Sequence, residues 1–224
     1  MVPVSRSARP VGTVAVCAMC SDFKIKADVS IMPPLGRVDD APPAFRQAVE
    51  SLRLPAVRPE VVVEEIPAPQ RLAPHAFAMS ASVRVGEDDV ALGRLIVLYD
   101  PDDTRDWPGP FRIVAYASAD LEAELASDPL LGQVAWSWLV EALSTLGAEH
   151  HTLSGTVTRA TTEGFAAKAE EETTTELELR ASWSPTSNDL SAHMRAWLAL
   201  LSSAAGLPPV DVADITQHRQ RTGD

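Results

Sequence analysis

The sequence predicts an α+β fold: a mostly antiparallel sheet of about six strands with helices packed on one face, in the order α-β-β-β-β-α-β-β-α. Three observations carry this expectation. Strand-like runs follow one another between 57 and 119 with no helical period between them, which implies antiparallel pairing rather than βαβ crossovers. A strongly periodic stretch at 129–146 supplies a long amphipathic helix. A cleanly alternating run at 173–183 supplies a strand with one buried face.

Taken in order, residues 1–41 carry Pro3, Pro10, Pro33 and Pro34 and no sustained period, and are expected to be a mostly disordered leader. A short strand at Lys26–Ile31 and a true start at Met32 are alternatives for this stretch. A single α+β domain is expected over 42–205. Its first helix opens at Pro42-Pro43, and Phe45, Ala48, Val49 and Leu52 share one face at i, i+3, i+4, i+7. Pro55 ends it. Strands are expected at 57–66, 75–85, 90–100 and 111–119, with a turn at 86–89 closing a hairpin between the second and third. The run 75–85 puts Phe77, Met79, Ala81, Val83 and Val85 on one face. The run 90–100 is apolar on both faces near its end, as a central strand is.

Asp120 is the expected N-cap of a helical region, with Glu122 and Glu124 in its first turn. Asp128-Pro129 restarts the helix, with the aspartate as cap and proline at the first position. Leu131, Val134, Ala135, Trp138, Leu139, Ala142, Leu143 and Leu146 then form an unbroken stripe, and Gly147 is a suitable C-cap. Trp136 and Val140 lie to one side of it. The apolar arc is therefore too wide for one sheet face, and a tail, a partner helix or another subunit is expected against its outer side. A threonine-rich strand at 151–162 and a polar loop at 164–172 follow. In the strand 173–183, Leu177, Leu179, Ala181 and Trp183 face in and Glu176, Glu178, Arg180 and Ser182 face out. Asn188 or Asp189 caps the last helix, with Leu190, Met194, Trp197, Leu198 and Leu201 on its stripe. Residues 206–224 read as a flexible C-terminal tail.

Composition narrows the function classes. At 46% hydrophobic residues the chain can build a sizeable core, and its net charge of −12 argues against a nucleic-acid groove and against an anionic membrane surface. The two cysteines, Cys17 and Cys20, lack a second pair or a histidine pair at zinc spacing, and fit a reducing cytoplasm. No apolar run approaches a membrane span, and Val11–Met19 is barely long enough for a signal-peptide core.

No catalytic motif emerges. Glycine-rich phosphate loops are absent, and Ser154 in TLSGT fails the nucleophile-elbow pattern. The acidic run 100–107 has Arg105 where a calcium loop needs glycine, and Phe111 where it needs a bidentate glutamate. His150 and His151 are adjacent in an extended chain and point to opposite faces, so they do not readily ligate one ion. Ser154 and His151 lack an evident acidic orienter. No metal or cofactor is implied. Of the tryptophans, Trp138, Trp183 and Trp197 belong to the core, whereas Trp136 is a candidate pocket or dimer contact. Arg159 and Arg180 both fall on late strands; on one sheet face they would form a carboxylate or phosphate site, and the alternative is that they ion-pair with Glu178 or Glu176.

Several segments carry a family signature: RPEVVVEEIPAPQRLAP at 58–74, DPLLGQVAWSWLVEAL at 128–143, SGTVTRA at 154–160, LRASWSP at 179–185 and AGLPP at 205–209. Together they resemble an uncharacterised actinobacterial family known as a domain of unknown function, number three thousand, over roughly residues 42–210. That resemblance implies no catalytic residue. The order of elements is also similar to the secretion-chaperone-like fold, whose members are small acidic dimers that bind other proteins; one extra strand departs from it. The leading expectation is a non-enzymatic cytoplasmic protein-binding or regulatory domain, chaperone-like in character, with a homodimer or another protein as partner. The second is a small anionic-ligand-binding domain or an enzyme with an unrecognised site around Arg159, Arg180 and Trp136.

Overall fold

The computed structural model describes residues 41–53, 58–102, 104–121, 123–171 and 173–208. Nearly all of the expected leader, with the strand at 26–31, lies outside the described residues, as does the tail from 209 onward.

Helix α1 (Pro43–Ser51) begins at the tandem prolines, where a missing N–H costs nothing because the first turn has no intrahelical acceptor. Four strands follow: β1 (Val61–Ile66), β2 (His75–Val85), β3 (Asp88–Tyr99) and β4 (Phe111–Leu121). A single helical turn, α2 (Ala123–Ala126), leads to α3 (Leu131–Thr145). Then come β5 (His150–Thr162), β6 (Thr174–Pro185) and α4 (Ser191–Ala204). The predicted class and element order therefore hold, with all six strands in one antiparallel sheet.

Several boundaries differ from the sequence reading, three of them for a local physical reason. The expected four-residue turn at 86–89 is two residues, Gly86 and Glu87. Gly86 takes φ 67°, a bulge falls between Val83 and Arg84, and Arg84 Nε reaches Asp89 Oδ1 at 2.9 Å. Asp120 caps no helix: β4 continues through Asp120 and Leu121, whose ladder partners are Glu176 and Thr175. Asp128 does act as a local cap, its carboxylate accepting the Leu130 N–H at 2.8 Å, but α3 itself starts three residues on. The far end of α3 matches its reading: Gly147 turns with φ 67° and Ala148 N–H returns to Leu143 C=O.

The strand order is β1-β2-β3-β4-β6-β5, so the later strand of the last pair inserts beside β4 and leaves β5 at the edge. Burial explains the choice. Leu177, Leu179, Ala181 and Trp183 of β6 are buried, while nearly all of β5 is exposed and carries threonines and no long aliphatic row. Directly opposed residues of paired strands share a face. The register therefore joins Val97, Ile113 and Trp183, and likewise Gly93, Ala117, Leu179 and Val157, into rows on one face.

All three longer helices pack on that face. Phe45 of α1 meets the rings of His75 and Tyr99 at 5.7 and 5.8 Å between centroids. Leu131 and Ala135 of α3 pack with Leu177. Trp197 and Leu201 of α4 come so close to β3 that a Cβ on Gly93 would stand 2.9 and 2.7 Å from them. Trp183 is fully buried, and its indole N–H donates to His193 Nδ1 at 3.0 Å, fastening the start of α4 to β6.

Candidate functional site

Helix α3 buries Leu131, Ala135, Leu139 and Leu143 and turns its outer flanks to solvent. Val134 is 39% exposed and Val140 40%, while Trp136 and Trp138 are half-buried. Trp136 reaches over β5. Gly155 is its seat, since a Cβ there would lie 2.7 Å from Trp136 Cζ3 and would also strike the Arg180 carbonyl. Val140, one turn further along the same flank, continues the apolar surface beyond the indole.

The β5 edge runs beneath this flank. A register shift between His151 and Ser154 sets a bulge near its start, and Thr152 within it takes φ 49°. Arg112 of β4 holds that bulge. The residue is 8% exposed, and its guanidinium donates to Thr152 Oγ1 at 2.7 Å and C=O at 3.2 Å, to Ser182 Oγ at 2.6 Å and to Ser184 Oγ at 3.4 Å. The sequence reading missed Arg112. Its only signal was alternation, which places it opposite to Phe111 and Ile113 but does not say that this position is buried.

The two arginines singled out from the sequence do not converge. Arg180 opposes Tyr116 and Thr156, whereas Arg159 opposes Leu177. Thr156 and Arg159 are an odd number of residues apart, so Arg159 lies on the helix-bearing face and Arg180 on the other. The shared anion site around Arg159, Arg180 and Trp136 is thereby overturned. Arg159 Nη1 instead donates to the carbonyls of Ala126 and Asp128, both at 3.0 Å, satisfying acceptors in the α2–α3 connection. Arg180 pairs with Glu178 at 2.6 Å, and its Cζ stands 5.6 Å from the centroid of Tyr116.

Other titratable groups serve the fold. His193 is 2% exposed, and burial, followed by the charge of His150, pulls its pKa down to about 4. With the Trp183 N–H aimed at Nδ1, its proton sits on Nε2. His150 Nδ1 is 2.7 Å from the Ala148 carbonyl, and His151 is exposed. The Asp100 carboxylate accepts the Thr104 hydroxyl at 2.6 Å and the Asp102 N–H at 3.1 Å, and these bonds hold its pKa below the usual range. Among the described residues, no group of three or more His, Cys, Asp or Glu side chains is placed to hold a metal ion.

No curated protein and no solved structure matches this chain. A family model described as "Protein of unknown function (DUF3000)" matches residues 41–213, which include every element of the sheet and the helices around it. The chain belongs to the DUF3000 family.

Proposed function

We propose that this protein is a non-enzymatic protein-binding or regulatory domain of the cytoplasm, chaperone-like in working through an exposed surface, with the outer flank of α3 and the β5 edge as that surface. One observation carries the reading: Val140, 40% exposed, adjoins the half-buried Trp136 directly beside a strand that ends the sheet. Aromatic and aliphatic side chains left partly exposed next to free backbone donors and acceptors favour docking of another polypeptide. The family signature falls on the same parts, in DPLLGQVAWSWLVEAL and SGTVTRA. A chain with two cysteines, and without a helix among the described residues long and apolar enough to cross a membrane, is compatible with the cytoplasm.

Affinity capture from the native host tests the reading. The tagged chain is expected to retain a reproducible partner, and Val140→Asp to lose it by about tenfold or more, since an interface anchor is worth roughly 1.4 kcal/mol or above. Identical capture by both chains would refute this surface as the binding site.

A further inference from the structure

The partner of the β5 edge can be specified further, on the reading that this edge and the adjoining flank of α3 form a protein-binding surface. We propose that the partner is a second copy of this chain, joined by antiparallel pairing of β5 with β5 across a two-fold axis at Val157.

Three features favour a second copy over an unrelated segment. The first is charge. The chain carries −12, yet the thirteen residues of β5 contain no Asp or Glu and include His150, His151 and Arg159. Two acidic molecules therefore meet least repulsion along this strand. The second is symmetry. A two-fold contact applies one patch to itself, so a pairing that uses most of the strand must set its axis near the strand's middle. Val157 lies one residue from the midpoint of His150–Thr162. Trp136 stands over Gly155, two residues away, with Val140 on the same flank of α3, so the axis brings both copies of that apolar flank towards each other.

The third feature is residue complementarity. With the axis at Val157, Thr156 opposes Thr158 of the second copy, and the reverse pair forms by symmetry. Threonine pairs are favourable cross-strand neighbours. Gly155 opposes Arg159 of the second copy on the helix-bearing face. The Trp136 indole covers Gly155, so this register sets the exposed Arg159 of the second copy beside that indole. The edge carries no proline or lysine along its length, and its bulge lies at the His151–Ser154 end, away from Val157.

Sedimentation and light scattering on the full chain test this directly. The wild type is expected at about 48 kDa, twice the 24.0 kDa of one chain. Thr156→Lys with Thr158→Lys places like charges opposite each other twice across the axis and should weaken association by about tenfold or more. Thr156→Glu with Thr158→Lys places opposite charges there and should retain the dimer. Both side chains are exposed, and circular dichroism checks that each variant is folded. A monomeric wild type overturns self-pairing, and if Val140→Asp still loses a captured partner the protein-binding reading stands alone. A dimer unchanged by the double-lysine variant overturns the β5 contact. Loss of the dimer in both variants overturns the axis at Val157.

Discussion

The buried imidazole of His193 is the residue whose protonation most directly opposes the fold. In its neutral form Nδ1 accepts the Trp183 N–H at 3.0 Å; a protonated ring has no acceptor to offer and leaves that indole donor without a partner. Its pKa is lowered from 6.5 to about 4, so the unfolded chain binds the proton more readily. The stability associated with neutral His193 is therefore complete above pH 6.5 and is lost as the pH falls towards 4. The full difference amounts to at most about 3 kcal/mol. Urea midpoints taken between pH 7 and pH 5 should fall for the wild type and stay nearly flat for His193→Gln; equal slopes would dismiss the histidine as the cause. Arg112 acts through geometry instead. Arg112→Ala strips the hydrogen bonds from Thr152, Ser182 and Ser184 and should cost about 2–4 kcal/mol. Hydrogen exchange at the amides of 151–154 should accelerate more than at β3, and uniform acceleration would mean that the arginine does not hold the bulge in particular.

At the scale of elements, β5 and β6 form one antiparallel pair with opposite fates. Strand β6 lies between two neighbours and under α3, and Leu179 is 1% exposed. Truncation to alanine there should cost about 2–5 kcal/mol through lost burial and the cavity left behind. Thr158 on β5 is exposed, so Thr158→Ala should change stability by less than about 0.5 kcal/mol. Denaturant midpoints of the two variants check the contrast, and comparable losses would contradict the assignment of β5 as the outer strand of the sheet among the described residues. Glycine marks two close helix–sheet approaches. Gly93 admits Trp197 and Leu201 of α4, and Gly155 admits Trp136 of α3. Both sit in strands where a Cβ would meet a side chain below normal contact distance, which couples the positions of α3 and α4 to small residues in the sheet.

At the scale of the whole chain, an acidic sequence carries an outer strand free of acidic residues. The three longer helices occupy one face, the neutral-to-basic β5 closes one side of the sheet, and the apolar flank of α3 overhangs it. Val140→Asp is therefore expected to leave the thermal midpoint nearly unchanged while abolishing partner capture, since its side chain already meets water. A large fall in the midpoint would instead mark Val140 as part of the core. Much of this architecture was legible in the sequence, because helix and strand periods are local properties of the chain. Leu131, Ala135, Leu139 and Leu143 of the expected stripe and the inward row Leu177–Trp183 follow from side-chain spacing, although Val134 of the same stripe is exposed, and the C-cap at 147 follows from glycine's tolerance of positive φ. The family, too, was legible in its motifs. The insertion of β6 beside β4, the burial of Arg112 and the opposite faces of Arg159 and Arg180 were not. Alternation within a strand tells which of its residues share a face, but only the register between strands tells whether two strands present those faces together. Register is a choice among non-local pairings, settled by which combination buries the most apolar surface, and only the tertiary structure decides it.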